Sequence, residues 1–171
     1  MKKILLTLIF IMLGFMVSCN DKHSSNDEPA DIYDLNWKLS IIGTSGESVD
    51  TIATGSTVTL MLEIINDTTE DVDISYEHCT PVNLYIYKGD EFIWRSDKAD
   101  CWYLDNECIA AGNKLEFTAE FTAALWNVDE QQNIDLVSGR YTLQAEFRGT
   151  SVINPDSTLI IDETIDFNIT E

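Results

Sequence analysis

The stretch LVSGRYTLQAEF, Leu136 to Phe147, decides the fold class. From Gly139 onward it alternates: Tyr141, Leu143, Ala145 and Phe147 fall on one face, and Arg140, Thr142, Gln144 and Glu146 on the other. A repeat of two is the period of a strand with one buried face, whereas an amphipathic helix repeats every three to four residues. Working outward, short runs dense in Val, Ile, Thr and Tyr occupy 35–42 (LNWKLSII), 56–65 (STVTLMLEII), 72–77 (VDISYE) and 82–88 (VNLYIYK). Others follow at 91–96 (EFIWRS), 114–122 (KLEFTAEFT), 140–147 and 158–169 (TLIIDETIDFNI). Gly, Asn, Asp and Pro punctuate them at Gly55, Asn66-Asp67, Pro81, Gly89-Asp90, Gly112-Asn113, Gly139 and Asn154-Pro155. These runs predict an all-β, antiparallel β-sandwich of about eight strands.

Two local patterns sharpen that expectation. Gly89-Asp90 between two alternating runs predicts a tight hairpin in which 82–88 pairs with 91–96, because a two-residue turn needs positive φ and Gly adopts it without steric penalty. Leu136, Gly139 and Tyr141 are spaced as in the tyrosine corner of immunoglobulin-like sandwiches, where the phenol bonds back to the upstream backbone. Gly139 and Tyr141 are therefore read as structural, as are Trp37, Trp94 and Trp126 in the core. The segment 123–136 is read as a long crossover loop with room for one turn of helix.

The 171 residues suffice for one domain with a sizeable core plus extra length at one end. Thirty Asp and Glu against ten Lys and Arg give a formal charge of -20, which repels nucleic acid and anionic headgroups. Before Cys19 stand Lys2, Lys3 and an apolar run, Ile4 to Val17. That run is shorter than the roughly 20 residues needed to span a bilayer and has the length of a signal-peptide core. Met16-Val17-Ser18-Cys19 resembles the lipobox of bacterial lipoproteins, with Met in place of the usual first Leu, and marks Cys19 as a lipidation site. The organisation expected is a signal peptide at 1–18, an acidic tether at 19–34 and a sandwich domain at 35–171. The resemblance implies a protein attached to membrane by N-terminal lipid at a bacterial envelope; Asn20, rather than Asp, after Cys19 favours the outer membrane.

With Cys19 lipidated, Cys79, Cys101 and Cys108 remain as disulfide candidates, an odd number for an oxidising compartment. Extending the hairpin register sets Cys79 opposite Asp100, so Cys79–Cys101 ranks first, Cys101–Cys108 second and Cys79–Cys108 last, with one thiol left over. No metal site is expected: His78 and Cys79 are adjacent and point to opposite faces of a strand, and the acidic turn at 66–73 lacks the D-x-D-x-D-G order that wraps calcium. No G-x-S-x-G, H-E-x-x-H or phosphate-cradling loop occurs, so neither catalytic residues nor a cofactor are assigned. The segment 97–113 carries Trp102, Tyr103 and Leu104 consecutively. Aromatics on a cysteine-constrained loop suit protein recognition, although Trp102 and Leu104 can equally close the end of the sandwich.

The strand ending at Asn66, the Gly-turn hairpin followed by Trp94, the Gly112 turn before an alternating strand, Trp126, and the Gly139–Ala145 run in the order G-x-Y-x-L-x-A together resemble the BsuPI-type intracellular proteinase inhibitor domain. The resemblance covers roughly residues 56 to 148. It implies an immunoglobulin-like sandwich that binds protein rather than catalyses, with proteinase inhibition as the family's role. A structural or assembly adaptor within an envelope complex is the alternative.

Overall fold

The computed structural model describes residues 30–77, 81–96, 104–127, 132–151 and 158–171. The leading segment, Cys19, Cys79, Cys101, Trp102 and Tyr103 lie outside these residues.

A single 3-10 turn, Ile32–Asp34, precedes twelve strands among the described residues. They are β1 (Asn36–Ile42), β2 (Thr51–Ala53), β3 (Thr57–Ile65), β4 (Val72–Glu77), β5 (Val82–Lys88) and β6 (Glu91–Arg95), then β7 (Leu104–Ile109), β8 (Lys114–Thr122), β9 (Ala124–Asn127), β10 (Gln132–Asp135), β11 (Gly139–Ser151) and β12 (Thr158–Thr170). One sheet runs β1-β3-β8, antiparallel throughout. The other is built on β11. Along one flank of β11 lie β12 and then β2; along the other, β5 with β6 pairs its first half and β4 with β7 pairs its end.

Alternation turns these strands into a sandwich. Val58, Leu60, Leu62 and Ile64 of β3 point into the core with Leu84 and Ile86 of β5 and with Tyr141, Leu143, Ala145 and Phe147 of β11. The sheets are stitched by rings: Trp37 of β1 lies 5.0 Å and Phe117 of β8 6.4 Å from Phe147, and Trp94 of β6 meets Phe121 of β8 edge-on at 5.4 Å. Each fully buried side chain of this size contributes about 1.5–3 kcal/mol of transfer free energy.

The hairpin forms as expected, with Lys88 paired to Glu91 across Gly89 at φ 60. The tyrosine corner also forms: Tyr141 is buried and its hydroxyl donates to the carbonyl of Val137 at 2.7 Å. Gly139, read as structural, opens β11 just before it.

Four expectations are corrected. The strands number more than eight, because β2 is only three residues long and β7, sequence LDNECI, is too polar to stand out by β-branched content. The described residues of 123–136 hold strands rather than a crossover loop: β9 and β10 pair antiparallel, Asn133 with Trp126 and Asp135 with Ala124. The tether ends before Asp34. Ile32 is fully buried, Asp31 caps its turn, and the Ala30 N–H donates to Glu70, so the packed domain starts by residue 30. The pairing is also not wholly antiparallel, since β2 runs parallel to β12.

Candidate functional site

The two sides of the sandwich differ. On one, the chain crosses between sheets: the Val49 N–H donates to the Ile41 carbonyl at 2.8 Å, and the Asn168 N–H to the Asp50 carbonyl at 2.9 Å, after which β2 joins β12. That side is closed by backbone hydrogen bonds. On the other side β8 is the edge of its sheet, and β6 and β7 are edges of the facing one, among the described residues.

The free groups of β8 follow from its ladder. The Asn66 N–H donates to the Asn113 carbonyl and the Ala123 N–H to the Ser56 carbonyl, each at 2.9 Å, at the two ends of the β3–β8 pair. In an antiparallel pair, residues alternate between turning both backbone groups toward the partner and turning both away. Odd-numbered residues of β8 therefore bond β3, and Glu116, Thr118 and Glu120 turn N–H and C=O outward to the open side. Their side chains are exposed on the outer face, while Leu115, Phe117 and Ala119 lean inward, half-buried.

Beside this edge lies a groove of about 490 Å³ lined by Val82, Leu84, Trp94 and Ser96 of the facing sheet and by Phe117 to Glu120 of β8. A second, of about 480 Å³, sits where β7 passes the start of β8, between Ile65, Cys108, Ile109 and Leu115. Ser96, which lines the first groove, and Leu104, the first residue of β7, flank the segment 97–103, which lies outside the described residues.

Charge on this side is organised by Glu63, a carboxylate buried on the outer face of β3. Lys114 and Lys38 both bond it, Lys38 at 2.8 Å, and Lys114 also pairs with Glu116 at 2.6 Å. Hydrogen bonds from Lys114 and then Lys38 hold the Glu63 carboxyl below its ordinary value. Hydrogen bonds to Glu116 and Glu63 raise the Lys114 ammonium in turn. Lys38, Glu63 and Glu116 stand in one cross-strand row, so the row ends at the open edge on a carboxylate.

The residues singled out in the sequence scatter across this frame. Trp94 lies in the first groove, half-buried. Tyr141 and Gly139 belong to the scaffold near the opposite end of β11. Trp126 sits on β9, paired to Asn133, and its side chain is outside the described residues, as is that of Leu104 at the start of β7. Cys108 of β7 faces Asp73 and is disulfide-bonded, its partner lying outside the described residues. A bonded Cys108 favours the pairings that include it over Cys79–Cys101, which leaves it out. Among the described residues no group of three His, Cys, Asp or Glu could hold a metal, and no helix is long and apolar enough to cross a membrane. The β8 edge and the buried Glu63 were missed in the sequence. The alternation of KLEFTAEFT marks Glu116 and Glu120 as outward, but no local signal says which strand lacks a neighbour.

Among solved structures the chain is similar to a putative ApaA protein from Bordetella pertussis, at 9% identity and TM-score 0.44, over 81% of this chain and 95% of that one. It is also similar to a β-glucosidase from Listeria innocua in complex with glucose, at 10% identity and TM-score 0.41, over 80% of this chain and 16% of that one. The chain thus spans about one sixth of that enzyme's length. An alkylpurine DNA glycosylase, AlkC, from Pseudomonas fluorescens gives 11% identity and TM-score 0.39, over 81% of this chain and 31% of that one. At these identities and TM-scores they assign neither activity nor partner. No curated protein matches. The profile of the BsuPI family, described as intracellular proteinase inhibitor, matches residues 46–152, which take in β2 through β11 and every strand of the open side. On that match, over more than half of its length, the chain belongs to the BsuPI family of intracellular proteinase inhibitors.

Proposed function

We propose that this chain is a non-enzymatic proteinase inhibitor that engages its target through the open side of the sandwich, and that lipid on Cys19 holds it at a bacterial envelope. The observation that carries the reading is the family match across 46–152, the stretch that builds both grooves and the β8 edge. A sandwich suits inhibition because its free edge and the groove beside it are held by packed sheets, so little order is lost on binding. Trp102, Tyr103 and Leu104, consecutive in the sequence, are residue types suited to protein recognition. Anchoring rests on the leader: a short apolar run delivers the Cys19 thiol at a membrane surface, and each buried acyl methylene contributes about 0.8 kcal/mol.

The test is titration of the full chain, held in mild detergent, against a panel of serine and cysteine proteinases. Inhibition that saturates at one chain per active site supports the reading. Full activity of every enzyme at micromolar chain refutes it. Intact mass separates the anchor from the inhibition, because a chain isolated from membranes with an unmodified Cys19 removes the anchor alone.

A further inference from the structure

We infer that the edge of β8, which has no second strand neighbour among the described residues, captures an extended peptide segment in which apolar residues alternate with basic ones. The inference rests on the protein-binding reading above and supplies the chemistry of what is bound, yet peptide capture is scored without any proteinase.

Three observations carry it. First, β8 is nine residues long and pairs with β3 in unbroken register, and Glu116, Thr118 and Glu120 present a regular row of outward N–H and C=O groups. Sheet proteins blunt such an edge with Pro, a bulge, a very short strand or charged side chains; Lys114–Thr122 has only the last, as Lys114, Glu116 and Glu120, so the edge is selective by charge rather than closed. Second, an added strand shares the pleat of β8, so each of its residues points to the same face as the β8 residue opposite it. Residues opposite Phe117 and Ala119 would enter the groove of about 490 Å³ over Trp94. Apolar side chains fit there.

Third, residues opposite Glu116 and Glu120 would emerge on the outer face, continuing the row Lys38, Glu63, Glu116. That row runs positive, negative, negative, and a basic residue completes it. Lys38 and Lys114 already answer Glu63, and Lys114 also pairs with Glu116, while Glu120 has no ion pair among the described residues. The net charge of -20 acts in the same direction at longer range. It also disfavours a second copy of the chain as occupant, since pairing two β8 strands about Thr118 sets Glu116 against Glu120 twice.

The experiment is fluorescence anisotropy of a labelled nine-residue peptide alternating Lys and Val, titrated with the full chain in mild detergent. Binding is expected, with affinity falling about tenfold or more when alternate peptide nitrogens are methylated, because that removes the edge hydrogen bonds. An alternating Glu and Val peptide should bind about fivefold or more weaker, and the Glu116→Lys, Glu120→Lys double variant should narrow that preference. Thr118→Pro deletes one outward N–H without touching the β3 ladder and should weaken the Lys–Val peptide. No binding at about 1 mM, or equal affinity for the methylated peptide, overturns the inference. The peptide controls use the unmodified chain, so they hold even if a variant fails to fold. Proteinase inhibition without peptide capture removes the strand-addition chemistry alone, and capture without inhibition removes the inhibitor reading alone.

Discussion

The hydroxyl of Tyr141 donates to the carbonyl of Val137, 2.7 Å away and four residues upstream, while its buried ring stacks on Phe167 at 5.8 Å. One side chain thus fixes the entry to β11 and fills the core beneath it. Val137 is itself exposed, so water can replace the lost donor. Tyr141→Phe should therefore cost about 1 kcal/mol, and Tyr141→Ala about 3–5 kcal/mol through the cavity, measured by urea unfolding.

Gly149 is required by a neighbour rather than by its own backbone. A Cβ there would lie 2.6 Å from the ring of Phe147, a fully buried residue that touches both Trp37 and Phe117. Gly149→Ala must push that ring into the cross-sheet cluster and should destabilise by about 1–3 kcal/mol. An unchanged urea midpoint would show that the cluster yields freely.

Glu63 gives the domain a specific acid sensitivity. Its carboxyl is held below its ordinary value near 4.5, so its contribution to stability is complete above that pH and is lost as pH falls through the lowered value. Glu63→Gln keeps the shape but cannot carry the charge. The gap in urea midpoint between wild type and Glu63→Gln should be open at pH 7 and close by about pH 2. A gap that stays constant would mean that the lysines add nothing.

Cys108 should be found in a disulfide by non-reducing peptide mapping, joined to Cys79 or Cys101. Reduction should lower stability by about 2–4 kcal/mol. A free Cys108 thiol in the oxidised protein would remove this staple from the β7 edge.

The parts legible in the sequence are those set by neighbours along the chain. Gly89-Asp90 specifies its own hairpin, and Leu136, Gly139 and Tyr141 specify their own corner, so both were readable without tertiary information. Long apolar alternation likewise announces β3, β5 and β11. Illegible were features decided by distant partners. β7 is polar in sequence and becomes a strand because β4 offers it a ladder, and β9 and β10 pair as strands where composition suggested a loop. Ile32 appeared to belong to a solvated tether because its burial depends on the fold rather than on its acidic neighbours. The candidate site belongs to this second class. KLEFTAEFT contains its acidic and apolar faces, but that β8 ends its sheet among the described residues follows only from the strand order.

The most direct measurement is amide exchange along β8, by NMR, in the free chain and in its complex with an inhibited proteinase. In the free chain the odd-numbered amides bonded to β3 should be protected and those of Glu116, Thr118 and Glu120 should exchange fast. The account predicts that these three become protected in the complex. A tight complex in which they exchange as fast as before would place the target elsewhere on the molecule and contradict it.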